Sequence, residues 1–200
     1  MISETDIFRA LQPVNRDRDD AVPSARTRRR AAVLCPLVRR EGGFNVMLTL
    51  RSAHLKVHAG QIAFPGGKID PADPSPLAAA LREAEEEIGL PPEDADILGT
   101  LDPYDTSTGF VITPFVGIVS PRFVPIPEEN EVAEVFEVPF DFLMDFANHE
   151  RIERVHEGRT RRFYQMIWGR YRIWGATAGM LRNLARRIRH AREEGMLEAG

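Results

Sequence analysis

Short apolar runs bounded by Gly, Pro, Asp or Ser recur along this chain. "AAVLCPLV" (31–38), "FNVMLTLR" (44–51), "ADILGTLDPY" (95–104) and "FVITPFVGIV" (110–119) each predict a strand. Farther on, "EVAEVFEVPF" (131–140) alternates like a strand, "FDFLMDFAN" (140–148) predicts a helix, and "RRFYQMIWG" (161–169) predicts another strand. From Thr177 to Glu194 the apolar period lengthens: Leu181, Leu184, Ile188 and Ala191 make one stripe of a long helix, with the arginines as its solvated face. Strands mixed with helices, without internal repeats, predict an α/β or α+β sandwich.

One further helix is marked by its ends. Ser75 followed by Pro76 is an N-cap and first-turn pair, and Gly89 is a left-handed stop, so the helix should span Pro76 to Ile88. At ~100° per residue, Leu77, Leu81, Ala84 and Ile88 form a core stripe, while Glu83, Glu86 and Glu87 share a separate arc. Like charges at that spacing repel by a few tenths of a kcal/mol per pair, and acids oppose the dipole at a helix C-terminus. Immediately upstream lies "RSAHLKVHAGQIAFPGGKIDPAD" (51–73), whose paired Gly66 and Gly67 allow backbone to approach a ligand closely. A glycine loop ending beside clustered carboxylates can offer carbonyl and carboxylate oxygens to one hard cation, which is what a magnesium-phosphate site needs. The cluster alone is also compatible with a solvated face.

Composition narrows the field. The chain has 200 residues, 43% hydrophobic content and a formal net charge of -4, which suits one domain and argues against general nucleic-acid binding. Residues 1–25 read as an amphipathic helix and polar arm, 26–194 as a single domain, and 195–200 as a tail. Cys35, the single cysteine, sits in an apolar run and reads as a core thiol. Without an apolar stretch of ~18 residues or a leader-like start, no membrane partner is expected and a cytoplasmic setting fits.

The segment from Gly67 to Leu90 resembles the signature of the Nudix hydrolases, in which a glycine and an acid precede Arg-Glu, a Glu pair, and Gly with a bulky apolar residue. Here Gly67, Asp73, Arg82, Glu83, Glu86, Glu87, Gly89 and Leu90 stand in those places. Asp73 replaces the first glutamate, one extra residue separates it from Arg82, and Ala84 is small where the family is bulky. The upstream "RSAHLKVHAGQIAFPGG" (51–67) is similar to a motif of the coenzyme A diphosphatase subgroup.

The resemblance implies a Nudix-type α/β/α sandwich with a mixed central sheet, acting as monomer or homodimer on a small molecule. It implies Mg²⁺ or Mn²⁺ held by Glu83, Glu86 and Glu87 with a carbonyl from the Gly67 region. The implied substrate is coenzyme A or a thioester, cleaved to 3′-phosphoadenosine 5′-phosphate and 4′-phosphopantetheine. Alternatives are another nucleoside diphosphate derivative such as ADP-ribose or NADH, or a non-catalytic Nudix-like module, which would be expected to lose ligands from the helix. Arg82, always protonated, would pair with a carboxylate and orient it. Glu83, Glu86 or a carboxylate from another loop such as Glu131 would serve as base. Arg51, Lys56 and Lys68 would meet phosphate oxygens or stand as solvated surface charges, and His58 and Gln61 would touch substrate or brace the loop. Trp168 and Trp174 read as core packing.

Overall fold

A computed structural model describes residues 1–12, 29–55, 57–156 and 159–198. Its centre is strand β1 (Arg29–Arg40), which pairs in parallel with β7 (Phe110–Val119) from Arg29↔Phe110 to Val38↔Val119. Its other edge pairs antiparallel first with β4 (Gly66–Lys68) at positions 31–33, then with β2 (Gly43–Arg51) at 37–40. Pro36 falls between those two partners. Leu34 donates its N–H to Pro65 O on this edge, so position 36 would aim its N–H the same way, where no ladder bond is lost.

From Ala31 to Val38 β1 is apolar because both of its faces are covered. Val33, Cys35 and Leu37 point to one core, which they share with α1 (Glu4–Leu11), α3 (Phe140–Met144) and α4 (Gly175–Glu198). Leu34 and Val38 point the other way, against Ala84, Ile88 and Leu90 at the end of α2 (Pro76–Ile88), and Ala32 meets Ala79 and Ala80 there. The result is an α/β/α sandwich with a mixed sheet. β3 (Ile62–Ala63) and β8 (Val132–Pro139) pair with β2, while β5 (Ala95–Thr100) and β6 (Tyr104–Asp105) pair with β7. A second antiparallel sheet runs β11-β10-β9, made of Tyr171–Trp174, Arg159–Trp168 and Glu150–His156.

Several details depart from the sequence pattern. The buried face of α2 is Ala79, Ala80, Ala84, Glu87 and Ile88, with Leu77 and Leu81 only half-buried, because the close approach to β1 at Ala32 admits alanines and not leucines. β9 and β11 lack a period of their own and pair through β10. Trp168 packs on the main core, but Trp174 is half-exposed beside Phe163 at a ring separation of 5.6 Å. On α4 the stripe Leu181, Leu184, Ile188 and Ala191 is buried, whereas Arg182 leaves the solvated face to lie over Tyr164 and Phe146. Cys35 is buried, which raises its thiol pKa. No described helix is long and apolar enough to cross a membrane.

Candidate active site

The signature helix starts and stops on local chemistry. Ser75 accepts from Ala78 N at 3.1 Å, Pro76 begins the first turn, and Gly89 at φ 68° caps the end, donating its N–H to carbonyls at 84 and 85. β4 lies alongside, with Ala32↔Gly67 and Val33↔Gly66 in register. Gly66 has φ 150° and its Cβ would come within 2.5 Å of Ala32 O, so only glycine fits that approach. The space beside Gly67 is taken by the Glu83 carboxylate.

Glu87 is the pivot. Its side chain is only 4% exposed, with Gly66 N–H donating to Oε2 at 3.1 Å and Arg51 Nη1 to Oε1 at 3.2 Å. Burial pushes its pKa up to about 7, against the pull of Gly66 N–H and Arg51, and the charges of Glu83 and Glu131 add to the rise. The Glu83 pKa is likewise raised, first by burial and then by Glu86 and Glu131, with Arg82 opposing. Glu131 thus acts on both carboxylates from outside the helix. Its turn is fixed by Ser52 N–H on Glu131 O at 2.8 Å, Glu128 N–H on Glu87 O at 3.0 Å, and His54 Nε2 with Asn130 O at 3.0 Å.

Arg82 is held from all sides. It forks onto Asp73 with Nε–Oδ1 at 3.0 Å and Nη2–Oδ2 at 3.1 Å, and it reaches Lys68 O, Glu83 and Glu86. The Arg82 pairing holds the Asp73 carboxyl below the usual carboxylate range. Just before the helix, a turn brings Asp73 back onto its own backbone, Asp70 N–H donating to Asp73 Oδ2 at 2.8 Å.

The sequence placed three glutamates on one arc; the structure separates them. Glu83 and Glu87 face β4, but Glu86 is 59% exposed and turned onto Arg82 at 2.9 Å. Among the described residues no three His, Cys, Asp or Glu side chains converge in a group that could hold a metal ion as they stand. Arginines engage the carboxylates instead. The donor chemistry still fits a hard divalent cation: Glu83 and Glu87 offer carboxylate oxygens, and Gly67 lacks a side chain where Glu83 leans over its backbone.

Of the remaining residues, Arg51 is at the site. His58, at φ 59°, shares a 2.8 Å hydrogen bond with Gln61 and so braces the loop. The Lys68 side chain is exposed while its carbonyl accepts from Arg82. Lys56 lies outside the described residues. Ser52, whose Oγ donates to Glu129 O at 3.2 Å, and His54 tie the loop to the Glu131 turn. Sequence reasoning missed both, although Ser52 stands beside Arg51 in the quoted motif.

The NUDIX domain family model matches residues 28–158. A relative called "Uncharacterized Nudix hydrolase NudL" from Citrobacter koseri is 45% identical over 161 residues, covering 80% of this chain and 83% of its own length. The protein of that name from Escherichia coli strain K12 is 44% identical over 160 residues, covering 80% and 83%. A MutT/nudix family protein from Enterococcus faecalis is similar in fold, with TM-score 0.50 at 16% identity over 82% of this chain and 62% of that one.

Proposed function

Because this chain belongs to the NUDIX domain family and is a Nudix hydrolase, we propose that it hydrolyses the diphosphate bond of coenzyme A or its thioesters. The observation that supports this reading is the closure of the 51–67 motif onto one carboxylate. Arg51 at its start and Gly66 at its end both bond Glu87, and Gly67 lies against Glu83. The segment similar to coenzyme A diphosphatases and the glutamate helix therefore make one site.

Nudix hydrolases generally use divalent cations. Here Glu83 and Glu87, with the Gly67 carbonyl, would hold Mg²⁺ or Mn²⁺; Glu86 would join them by turning from Arg82. Such a cation would supply charge neutralisation for the diphosphate and a lower pKa for the attacking water. The chain's own groups do the rest. Arg51 binds a phosphate oxygen, and Arg82, forked onto Asp73, holds Glu83 in orientation. The base would be Glu83, Glu86 or Glu131, since the charges of the last two both act on Glu83. Water adds to one phosphorus, the bridging P–O bond breaks, and 3′-phosphoadenosine 5′-phosphate and 4′-phosphopantetheine leave as two phosphomonoesters.

The test is a hydrolysis screen with Mg²⁺ over coenzyme A, ADP-ribose, NADH and diadenosine polyphosphates, with the products identified. Coenzyme A forms should be the best substrates. Faster turnover of ADP-ribose than of every coenzyme A form would remove the substrate assignment and leave the Nudix chemistry standing.

A further inference from the structure

The two arginines at the site are held very differently. Arg82 contacts Asp73, Glu83, Glu86 and Lys68 O together, so no single event releases it. Among the described residues the Arg51 guanidinium makes one hydrogen bond or ion pair, to Glu87 Oε1 at 3.2 Å. Its backbone is fixed, since Arg51 N–H donates to Gln61 O at 2.9 Å and Gly60 N–H to Arg51 O at 3.1 Å. The side chain can therefore swing from a stationary Cα. Glu87 cannot follow, being buried and tied to Gly66 N–H through its other oxygen.

Resting on the cation-dependent reading above, we propose that Arg51 is a displaceable counter-ion: it neutralises Glu87 until a divalent cation takes that carboxylate, and then passes to a phosphate oxygen of the substrate. A guanidinium and a divalent cation on the same carboxylate repel one another, and of the two partners of Glu87 only the singly held arginine can leave. Once released beside the cation, it needs an anion, and the diphosphate supplies one. Before release, it is occupied and unavailable to the diphosphate. Cation and diphosphate binding then favour each other, and the coupling is reciprocal.

The experiment is a Mn²⁺ titration of the substrate-free protein at pH 8, followed by electron paramagnetic resonance, on wild type, Arg51→Gln and Lys68→Gln. Removing the competing guanidinium should tighten Mn²⁺ binding by about five- to twentyfold. Lys68→Gln removes a nearby charge that pairs with no proposed ligand, and should change affinity by about twofold or less. Unchanged or weaker binding in Arg51→Gln would overturn the proposal, as would equal tightening in both variants, which would make the effect one of general charge. No Mn²⁺ binding by wild type would overturn the cation-dependent reading itself, a distinct result because there is then no affinity to compare. A second measurement needs no variant: the Arg51 Nε–H resonance of wild type during a Mg²⁺ titration. It should shift and exchange faster with water on Mg²⁺ alone; an unmoved resonance at saturating Mg²⁺ would overturn the proposal.

Discussion

The carboxylate of Glu83 occupies the space that a side chain on Gly67 would need. The backbone at Gly67 lies outside the left-handed region, so an alanine there conflicts with the carboxylate and not with its own φ. Gly67→Ala is therefore expected to fold with little change in Tm, because the end of the Glu83 side chain can give way. Its kcat should fall by about a hundredfold, since a displaced ligand no longer meets the developing charge. Gly66→Ala should behave in the opposite way: its Cβ would strike the backbone of Ala32 and Val33, and the loss should appear as instability. Melting curves and kcat measured together on the two variants check the pair; wild-type kcat in folded Gly67→Ala would separate Gly67 from the chemistry.

Glu87 links stability to pH. Burial raises its folded pKa to about 7, above the ordinary glutamate value of 4.5. Between those values the folded state keeps a proton that the unfolded chain has released, so the metal-free protein loses stability as pH rises through this window. The loss levels off above about pH 7, with an upper bound of about 3 kcal/mol. Glu87→Gln does not titrate and should lack this slope in denaturant unfolding with a chelator at pH 5 and 7.5. Equal slopes in wild type and variant would contradict the assignment. At saturating Mg²⁺ the same variant should lose about a hundredfold or more in turnover, because a ligand charge is gone.

What the sequence disclosed tracks how local the signals were. The ends of α2 were legible from Ser75, Pro76 and Gly89 because caps act within a turn, and α4 from a stripe that needs only its own period. β9 and β11 were not, since "ERIERVH" and "YRIW" acquire strand geometry only by pairing with β10. At the site, the glutamates and glycines were legible as residue types. Their division was not: Glu87 turns inward because Arg51 and Gly66 N–H, both distant in sequence, satisfy its oxygens, and Glu86 turns outward onto Arg82. The Arg82–Asp73 fork depends on a turn at 70–73 that periodicity does not encode.

Arg82 should prove to be an orienting residue. A lysine keeps the charge but lacks the planar fork that reaches Asp73, Glu83, Glu86 and Lys68 O at once. Arg82→Lys is expected to lower kcat by about ten- to a hundredfold with KM nearly unchanged. A rise in KM at constant kcat would put Arg82 on the substrate instead.

The placement of Arg51 bears on how a 3′-phosphate would be recognised. On the coenzyme A reading, a guanidinium 3.2 Å from Glu87 would sit beside the diphosphate under attack, and a second cation would be needed for the remote phosphate. Lys56, in the same motif, is the candidate that the sequence supplies. ADP-ribose and dephospho-coenzyme A both lack this phosphate, so a cation dedicated to it contributes nothing to their turnover. If the contact is an ordinary charge-assisted one of about 1.5 to 3 kcal/mol, dephospho-coenzyme A should show kcat/KM roughly tenfold or more below coenzyme A. Lys56→Gln should bring the two substrates together by slowing coenzyme A alone, with the dephospho form unaffected. Equal rates for both substrates in wild type would remove the contact, and a variant that slowed both equally would move Lys56 from the 3′-phosphate to the diphosphate that both substrates share.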